Sequence, residues 1–282
     1  MVAVTVLRRH GISPAGEEKT MRCARRNSAP MLIAIALAPF SGHALCAADY
    51  DREARLAQEV VPAIVVGEAV YLETTRQSQV LAIHTRASPP AIAGAGVIVV
   101  HGAGVHPDWG LINGLRTGLA EAGMSTLSVQ MPVLDGGAPR DQYTPLFPES
   151  TSRIAAAVAY LRQQGATRIA IVSHSMGASM VDAYFASSSP AKLAAWVPIG
   201  MMNPFGTRPA MPVLDVTAER DFPQVLEAAP RRAAALPRDG CSQEVRIMGT
   251  DHFMENRQKE LVATIVPFLE RALTGGCATN RP

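Results

Sequence analysis

Two kinds of hydrophobic pattern alternate along this chain. Short apolar, β-branched runs are typical of buried strands, and longer segments with apolar residues at helical spacing are typical of amphipathic helices. Strands are predicted at 68–73, 78–85, 97–100, 125–129, 169–172, 194–199, 212–217 and 243–248. Helices are predicted at 51–66, 111–122, 150–164, 178–186, 222–236 and 255–273. From residue 97 onward this order predicts an α/β fold with a mostly parallel central sheet and helices on both faces, preceded by an antiparallel pair of strands.

The first 48 residues have the pattern of an export signal rather than of a core. A basic segment, Met21–Arg26, precedes a short apolar run, Met31–Ala38, and small residues follow at 44–48. The apolar run is well short of the ~20 residues that span a bilayer, and Pro39 follows it directly. We therefore expect a signal over about 21–48 that is cleaved, a periplasmic or secreted protein and no stable membrane anchor. Either Met1 or Met21 can be the start.

Removing this leader changes the charge balance. It holds six of the 26 Lys and Arg residues and two of the 24 acids, so residues 49–282 carry 20 basic and 22 acidic side chains. No basic surface remains to suggest a nucleic-acid partner. The remaining chain is long enough for one domain with a sizeable core, divided into an arm with the first strands (49–96), a core (97–275) and a tail (276–282). Cys241 and Cys277 are its two cysteines; an oxidising compartment allows them to pair, and free thiols are the alternative.

A strand, a tight turn and a helix follow directly on one another in residues 168–178, Arg-Ile-Ala-Ile-Val-Ser-His-Ser-Met-Gly-Ala. This is the context of a G-x-S-x-G nucleophile elbow, in which small residues flank a serine because strand and helix backbones crowd together. Here Ser173 replaces the first glycine and Gly177 is the second. The elbow would expose the Ser175 hydroxyl and aim the Met176 N–H at a developing oxyanion. A serine-rich turn without chemistry is the alternative.

A second informative stretch is the glycine loop His-Gly-Ala-Gly at 101–104, directly after a buried strand. Such a loop turns backbone N–H groups toward a ligand, and we assign the second oxyanion donor to Ala103, with Gly104 as the neighbouring possibility. An ordinary strand-to-helix turn is the alternative. His101 is expected to pack and hydrogen-bond rather than to titrate.

A serine nucleophile needs a base and an acid that orients the base. With an elbow of this kind the partners follow in the order serine, acid, histidine. His252 is the single histidine after Ser175 and follows the last predicted strand. Asp221 follows the strand at 212–217, where the acid is expected. Its alternatives are acids within or beside strands: Asp215, Glu219 and Asp251.

The Pro- and Gly-rich segment 131–148 is predicted to be a long loop with an apolar tip at Tyr143, Leu146 and Phe147. Long loops of this kind tend to be functional. We expect it to roof the site, with Gly104, Tyr143 and Phe147 contacting substrate. Residues 200–210 are too few for a cap domain.

No cofactor or metal is predicted. The five histidines after the leader lack an H-x-x-x-H pair, and no phosphate loop or dinucleotide fingerprint is present. The expected partner is a small-molecule ester or acyl substrate, and the oligomeric state stays open.

From Val97 to about Phe268 the chain resembles the α/β-hydrolase superfamily, in Val-Val-His-Gly-Ala-Gly, Ser-His-Ser-Met-Gly-Ala, Glu-Arg-Asp and Thr-Asp-His-Phe. Within it, His-Gly-Ala-Gly-Val-His-Pro-Asp-Trp is similar to exported bacterial hydrolase-like proteins without a settled substrate. The resemblance implies a serine esterase that works through an acyl-enzyme on Ser175. A non-catalytic envelope binding protein on the same fold and a serine peptidase or amidase are the competing hypotheses.

Overall fold

An eight-stranded sheet forms the centre of the structure, a computed structural model that describes residues 48–77 and 79–277. The strands are β1 (Glu68–Leu72), β2 (Val80–Thr85), β3 (Ala95–Val100), β4 (Ser125–Val129), β5 (Arg168–His174), β6 (Ala195–Ile199), β7 (Leu214–Arg220) and β8 (Gln243–Asp251). The α-helices are α1 (Tyr50–Val60), α2 (Gly110–Glu121), α3 (Phe147–Gln163), α4 (Met176–Phe185), α5 (Pro223–Ala235) and α6 (Gln258–Thr274). Apart from Ala48, the predicted leader lies outside the described residues.

The strand order is β1-β2-β4-β3-β5-β6-β7-β8. Strand β2 runs antiparallel to both of its neighbours, and β3 to β8 pair in parallel. The prediction of a mostly parallel sheet that starts with an antiparallel pair is therefore confirmed. Because parallel strands end at the same edge, the segments after β3, β4, β5, β7 and β8 converge there.

Apolar side chains cover both faces of the sheet. Alternate residues of β5 point to opposite faces, so Ile169 and Ile171 join one core while Ala170 and Val172 join the other. Helices α3 and α4 pack on the first face, and α2 and α6 pack on the second. This two-sided burial explains why the central strands are continuously hydrophobic.

Helix α1 is tied to the core by a buried ion network. The Arg153 guanidinium in α3 donates to Glu53 Oε2 in α1 at 3.0 Å, to Glu149 in its own helix and to Gln77 Oε1 at 2.8 Å. Burial raises the pKa of Glu53, although Arg153 acts in the opposite direction. The backbone N–H of Val133 also donates to Glu53 Oε1, at 3.3 Å. Helix α1 thereby holds the segment that follows β4.

That segment differs from its prediction as an unstructured loop. A 3-10 helix spans Arg140–Leu146, and α3 begins at Phe147 rather than at Ser150. The expected apolar tip is largely inside the protein, because Tyr143 and Leu146 are each 1% exposed. The Tyr143 hydroxyl also accepts a hydrogen bond from the Leu134 N–H at 3.3 Å. Residues 131–148 are therefore a packed segment rather than an open loop, and we call this segment the wall.

Residues 200–213, between β6 and β7, contain no helix. This agrees with the prediction that this interval is too short for a cap domain. Across the described ranges, no helix is long and apolar enough to cross a membrane.

A disulfide joins Cys241, before β8, to Cys277, after α6, across 36 residues of sequence. Closing a loop of this length restricts the unfolded chain, which stabilises the folded state by about 2–4 kcal/mol. We expect the Cys241→Ser/Cys277→Ser double variant to lose that much free energy of unfolding in a urea titration. Dithiothreitol should lower the free energy of unfolding of the wild type by a similar amount and leave that of the double variant unchanged. Equal unfolding midpoints for the two proteins would contradict this expectation.

Candidate active site

The turn between β5 and α4 has the geometry of a nucleophile elbow. Ser175 sits between them with φ 55° and ψ −122°, a region that side-chain-bearing residues rarely adopt. Its N–H donates to the Ile199 carbonyl at 2.8 Å, which ties the turn to β6. Backbone strain of this kind persists only where surrounding contacts impose it, and it is concentrated at functional sites.

The small residues at the two positions flanking the serine are explained by different contacts. A Cβ on Gly177 would lie 2.3 Å from the His101 carbonyl oxygen, so only glycine fits where α4 crosses the end of β3. Ser173 has room for its side chain, and its Oγ accepts a hydrogen bond from the indole Nε1 of buried Trp196 at 2.9 Å. The departure from glycine at Ser173 therefore satisfies a buried donor.

Ser175, His252 and Asp221 are brought together from three different strand ends. The distance between Ser175 Oγ and His252 Nε2 is 2.9 Å, and that between His252 Nδ1 and Asp221 Oδ1 is 2.6 Å. With the Nδ1 proton donated to Asp221, Nε2 is free to accept the serine proton. The imidazole and the carboxylate are both buried.

Asp221 is held as a charged acceptor. Burial raises its pKa, but hydrogen bonds from His252 and from the N–H groups of Ala218 and Phe222 bring the pKa below its ordinary value. Asp221 is therefore ionised at neutral pH and fixed in position before any substrate binds.

The other candidate acids have structural partners elsewhere. Asp215 accepts from Arg232 Nε at 2.8 Å, with both side chains fully buried, and burial raises its pKa to about 6. Glu219 accepts from the Gly249 N–H at 2.8 Å, and Asp251 accepts from the Phe253 N–H at 3.0 Å.

The glycine loop lies against the elbow. A Cβ on Gly102 would lie 3.2 Å from Ser175 Cβ, and Ala103 lines the same cavity as Met176. The Gly104 carbonyl accepts a hydrogen bond from Arg52 Nη2 of α1 at 3.2 Å, so the N-terminal helix helps to fix this loop.

His101 anchors the start of the loop, in agreement with its predicted packing role. It is fully buried, its Nε2 accepts from the Met131 N–H at 2.9 Å, and its Nδ1 donates to the Gly102 carbonyl at 2.7 Å. Burial lowers its pKa to about 3, so this ring stays neutral.

A cavity of about 240 Å³ opens beside the Ser175 hydroxyl. It is lined by Gly102, Ala103, Val105, Trp109, Ala138, Arg140, Tyr143, His174, Ser175, Met176, Met202, Phe222, His252 and Phe253. Of the three predicted substrate contacts, Tyr143 is in this lining. Gly104 is not, although a Cβ on it would approach the Tyr143 hydroxyl to 3.9 Å. Phe147 packs against the core at the start of α3 and is not in the lining either.

Several residues of the site were not predicted from the sequence. His174 Nε2 donates to the His252 carbonyl at 2.9 Å. This hydrogen bond fixes the loop that carries the His252 ring. Burial lowers the pKa of His174 to about 4, with a smaller effect of His252, so it remains uncharged at neutral pH. Phe222 stacks on the His252 ring at 4.1 Å between centroids. The only sequence signal for these residues was their position directly beside predicted site residues.

Several solved structures share this fold at low sequence identity. An α/β serine hydrolase homologue from Coxiella burnetii has a TM-score of 0.58 and 17% identity, covering 73% of this chain and 99% of that one. Est1E from Butyrivibrio proteoclasticus has a TM-score of 0.57 and 16% identity, and the match covers 74% of this chain and 99% of Est1E. XC6422 from Xanthomonas campestris, described as an α/β serine hydrolase without lid, gives 0.55 and 16%, with 78% and 98% covered.

No protein-family model matches the sequence, and no curated protein sequence matches it. The structural similarity nevertheless agrees with the strand order and the elbow described above. The chain therefore has the α/β-hydrolase fold, as the sequence motifs predicted.

The hydrogen bond between Ser173 and Trp196 can be tested separately from the chemistry. Ser173→Ala leaves the indole N–H buried without a partner, which should lower the free energy of unfolding by about 1–3 kcal/mol. Urea unfolding followed by circular dichroism measures this change. In a Trp196→Phe background the same substitution should cost much less, because the donor is gone. An equal cost in both backgrounds would show that the hydrogen bond does not explain Ser173.

Proposed function

We propose that this protein is a serine hydrolase of small carboxylic esters, working through an acyl-enzyme on Ser175. The observation that carries the proposal is the continuous line of hydrogen bonds from the Ser175 hydroxyl through His252 to Asp221. A binding protein on this fold has no need for that line, or for the strained serine backbone that exposes the hydroxyl.

In the proposed reaction His252 Nε2 takes the proton of Ser175 as the hydroxyl oxygen attacks the ester carbonyl. Asp221 stabilises the imidazolium that results. The negative charge on the carbonyl oxygen is stabilised by the N–H groups of Met176 and Ala103, which are the proposed oxyanion-hole donors. His252 then protonates the leaving alcohol, and a water molecule activated by the same ring hydrolyses the acyl-enzyme.

The size and lining of the cavity support a small substrate. Its volume of about 240 Å³ is below the ~300–1,000 Å³ of pockets that hold drug-sized ligands. Residues 200–213, between β6 and β7, form no helix that could cover the cavity. Export to the periplasm or the medium remains part of the proposal, because it rests on the predicted signal at 21–48.

Hydrolysis of p-nitrophenyl acetate and butyrate by the purified protein tests the proposal. We expect Ser175→Ala and His252→Ala each to lower kcat by about 1,000-fold or more, since either change removes proton transfer from the nucleophile. Asp221→Asn should cause a large loss as well, because the amide favours the wrong imidazole tautomer.

Ser189→Ala provides the matched control, because this serine is exposed and lies beyond the end of α4. It should hydrolyse both esters at the wild-type rate. The same slow rate for the wild type and for the Ser175 and His252 variants would contradict the proposal and favour the binding-protein hypothesis. Cleavage of p-nitroanilides faster than of the matching esters would favour a peptidase or amidase.

A further inference from the structure

The cavity beside Ser175 contains an arginine that the proposed reaction does not use. Arg140 lines this cavity, and its Nη2 donates to Ser179 Oγ at 3.3 Å, one turn beyond the nucleophile in α4. Within residues 48–77 and 79–277, no carboxylate forms an ion pair with it. The hydroxyl of Ser179 positions the guanidinium without neutralising it.

The acids closest to Arg140 in sequence or along α4 have other environments. Asp141 is exposed. Asp182 accepts from the Gly206 N–H at 2.8 Å and makes no ion pair with Arg140. Burial lowers the pKa of Arg140, but a guanidinium stays charged at any ordinary pH. A partly desolvated positive charge therefore faces the cavity, and this is costly unless an anion pairs with it.

The wall that carries Arg140 is fixed before substrate binds. Within this wall the Tyr143 hydroxyl accepts from the Leu134 N–H at 3.3 Å. The Val133 carbonyl accepts from the Asp49 N–H of the N-terminal arm at 2.8 Å. These contacts hold the backbone on both sides of the arginine, so little ordering is left to be done when a ligand arrives.

The two ends of the cavity differ in chemistry because they come from opposite sides of the nucleophile strand. In the sheet order, β4 lies on one side of β5, and β7 and β8 lie on the other. The segment with Arg140 follows β4, whereas Phe222 and Phe253 follow β7 and β8 beside His252. Their ring centroids lie 4.1 and 5.3 Å from that of His252.

The position of the base decides which part of an ester meets which end. His252 gives its proton to the leaving oxygen, so the alcohol portion lies on the His252 side, against Phe222 and Phe253. The carbonyl carbon is bound to Ser175, and the acyl chain extends the other way, toward Arg140.

We propose that the substrate is a monoester of a dicarboxylic acid, whose free carboxylate pairs with Arg140 and whose alcohol is apolar or aromatic. Arginine suits this role because its parallel N–H groups match the two oxygens of a carboxylate. This inference rests on the proposed function, since it assigns the two ends of the cavity from the role of His252.

The test compares two esters of six-carbon acids, p-nitrophenyl hydrogen adipate and p-nitrophenyl hexanoate, which differ in the terminal carboxylate. We expect Arg140→Gln to lower kcat/KM for the adipate ester by about 10- to 100-fold more than for the hexanoate ester. The effect should lie mainly in KM, because the carboxylate is bound equally in the ground state and in the transition state. Arg140→Lys should retain part of the preference.

Two controls separate this pairing from general charge effects and from structural damage. Arg162→Gln removes one positive charge from an exposed position on α3. It should leave kcat/KM unchanged for both the adipate and the hexanoate ester. Added NaCl should reduce the preference of the wild type for the adipate ester and should have little effect on Arg140→Gln.

An equal loss of kcat/KM for both esters in Arg140→Gln would overturn the inference while leaving the proposed function intact. So would a loss confined to 4-carboxyphenyl hexanoate, in which the anion is on the alcohol. Binding of monomethyl adipate, measured by calorimetry in the Ser175→Ala background with and without Arg140→Gln, is independent of turnover. If Arg140→Gln weakens this binding but the protein with Ser175 intact hydrolyses no ester, only the proposed function is contradicted. Equal binding with Arg140 and with Gln at this position would overturn the inference.

Discussion

The arrangement of the site depends on one close contact, the crossing of α4 over the end of β3. At Gly177 the helix backbone approaches the His101 carbonyl so closely that a Cβ would lie 2.3 Å from it. This approach makes the chain reverse within one residue, which places Ser175 at φ 55° and its hydroxyl at the carboxyl edge of the sheet. The same crossing brings the loop after β3 beside the serine, so one steric constraint positions both the proposed nucleophile and the proposed oxyanion donors.

A second layer of the structure holds the groups around that turn. Helix α1 reaches the site through Arg52, which donates to the Gly104 carbonyl, and through Glu53, which binds Arg153 and the backbone of the wall after β4. Buried charges of this kind are costly unless they are fully paired. Their pairing here ties an N-terminal element to both the glycine loop and the wall with Arg140. The site is thus supported from three parts of the chain that are distant in sequence.

The sequence predicted most of what depends on local patterns. The elbow could be recognised because strand, turn and helix are adjacent, and His252 because it is the single histidine after Ser175. The structure of the wall after β4 could not be predicted, because its 3-10 helix depends on burying Tyr143 and Leu146 against distant residues. Arg140 carries no local signal either, because its importance comes from a cavity formed by several strand ends.

Labelling by a fluorophosphonate tests whether Ser175 is an activated nucleophile. The reagent reacts with serines whose hydroxyl is activated by a neighbouring base. We expect one adduct per folded chain in intact-protein mass spectrometry, located on Ser175 in the peptide digest and absent from His252→Ala. No adduct on the folded wild type, or equal labelling of Ser175→Ala, would contradict it.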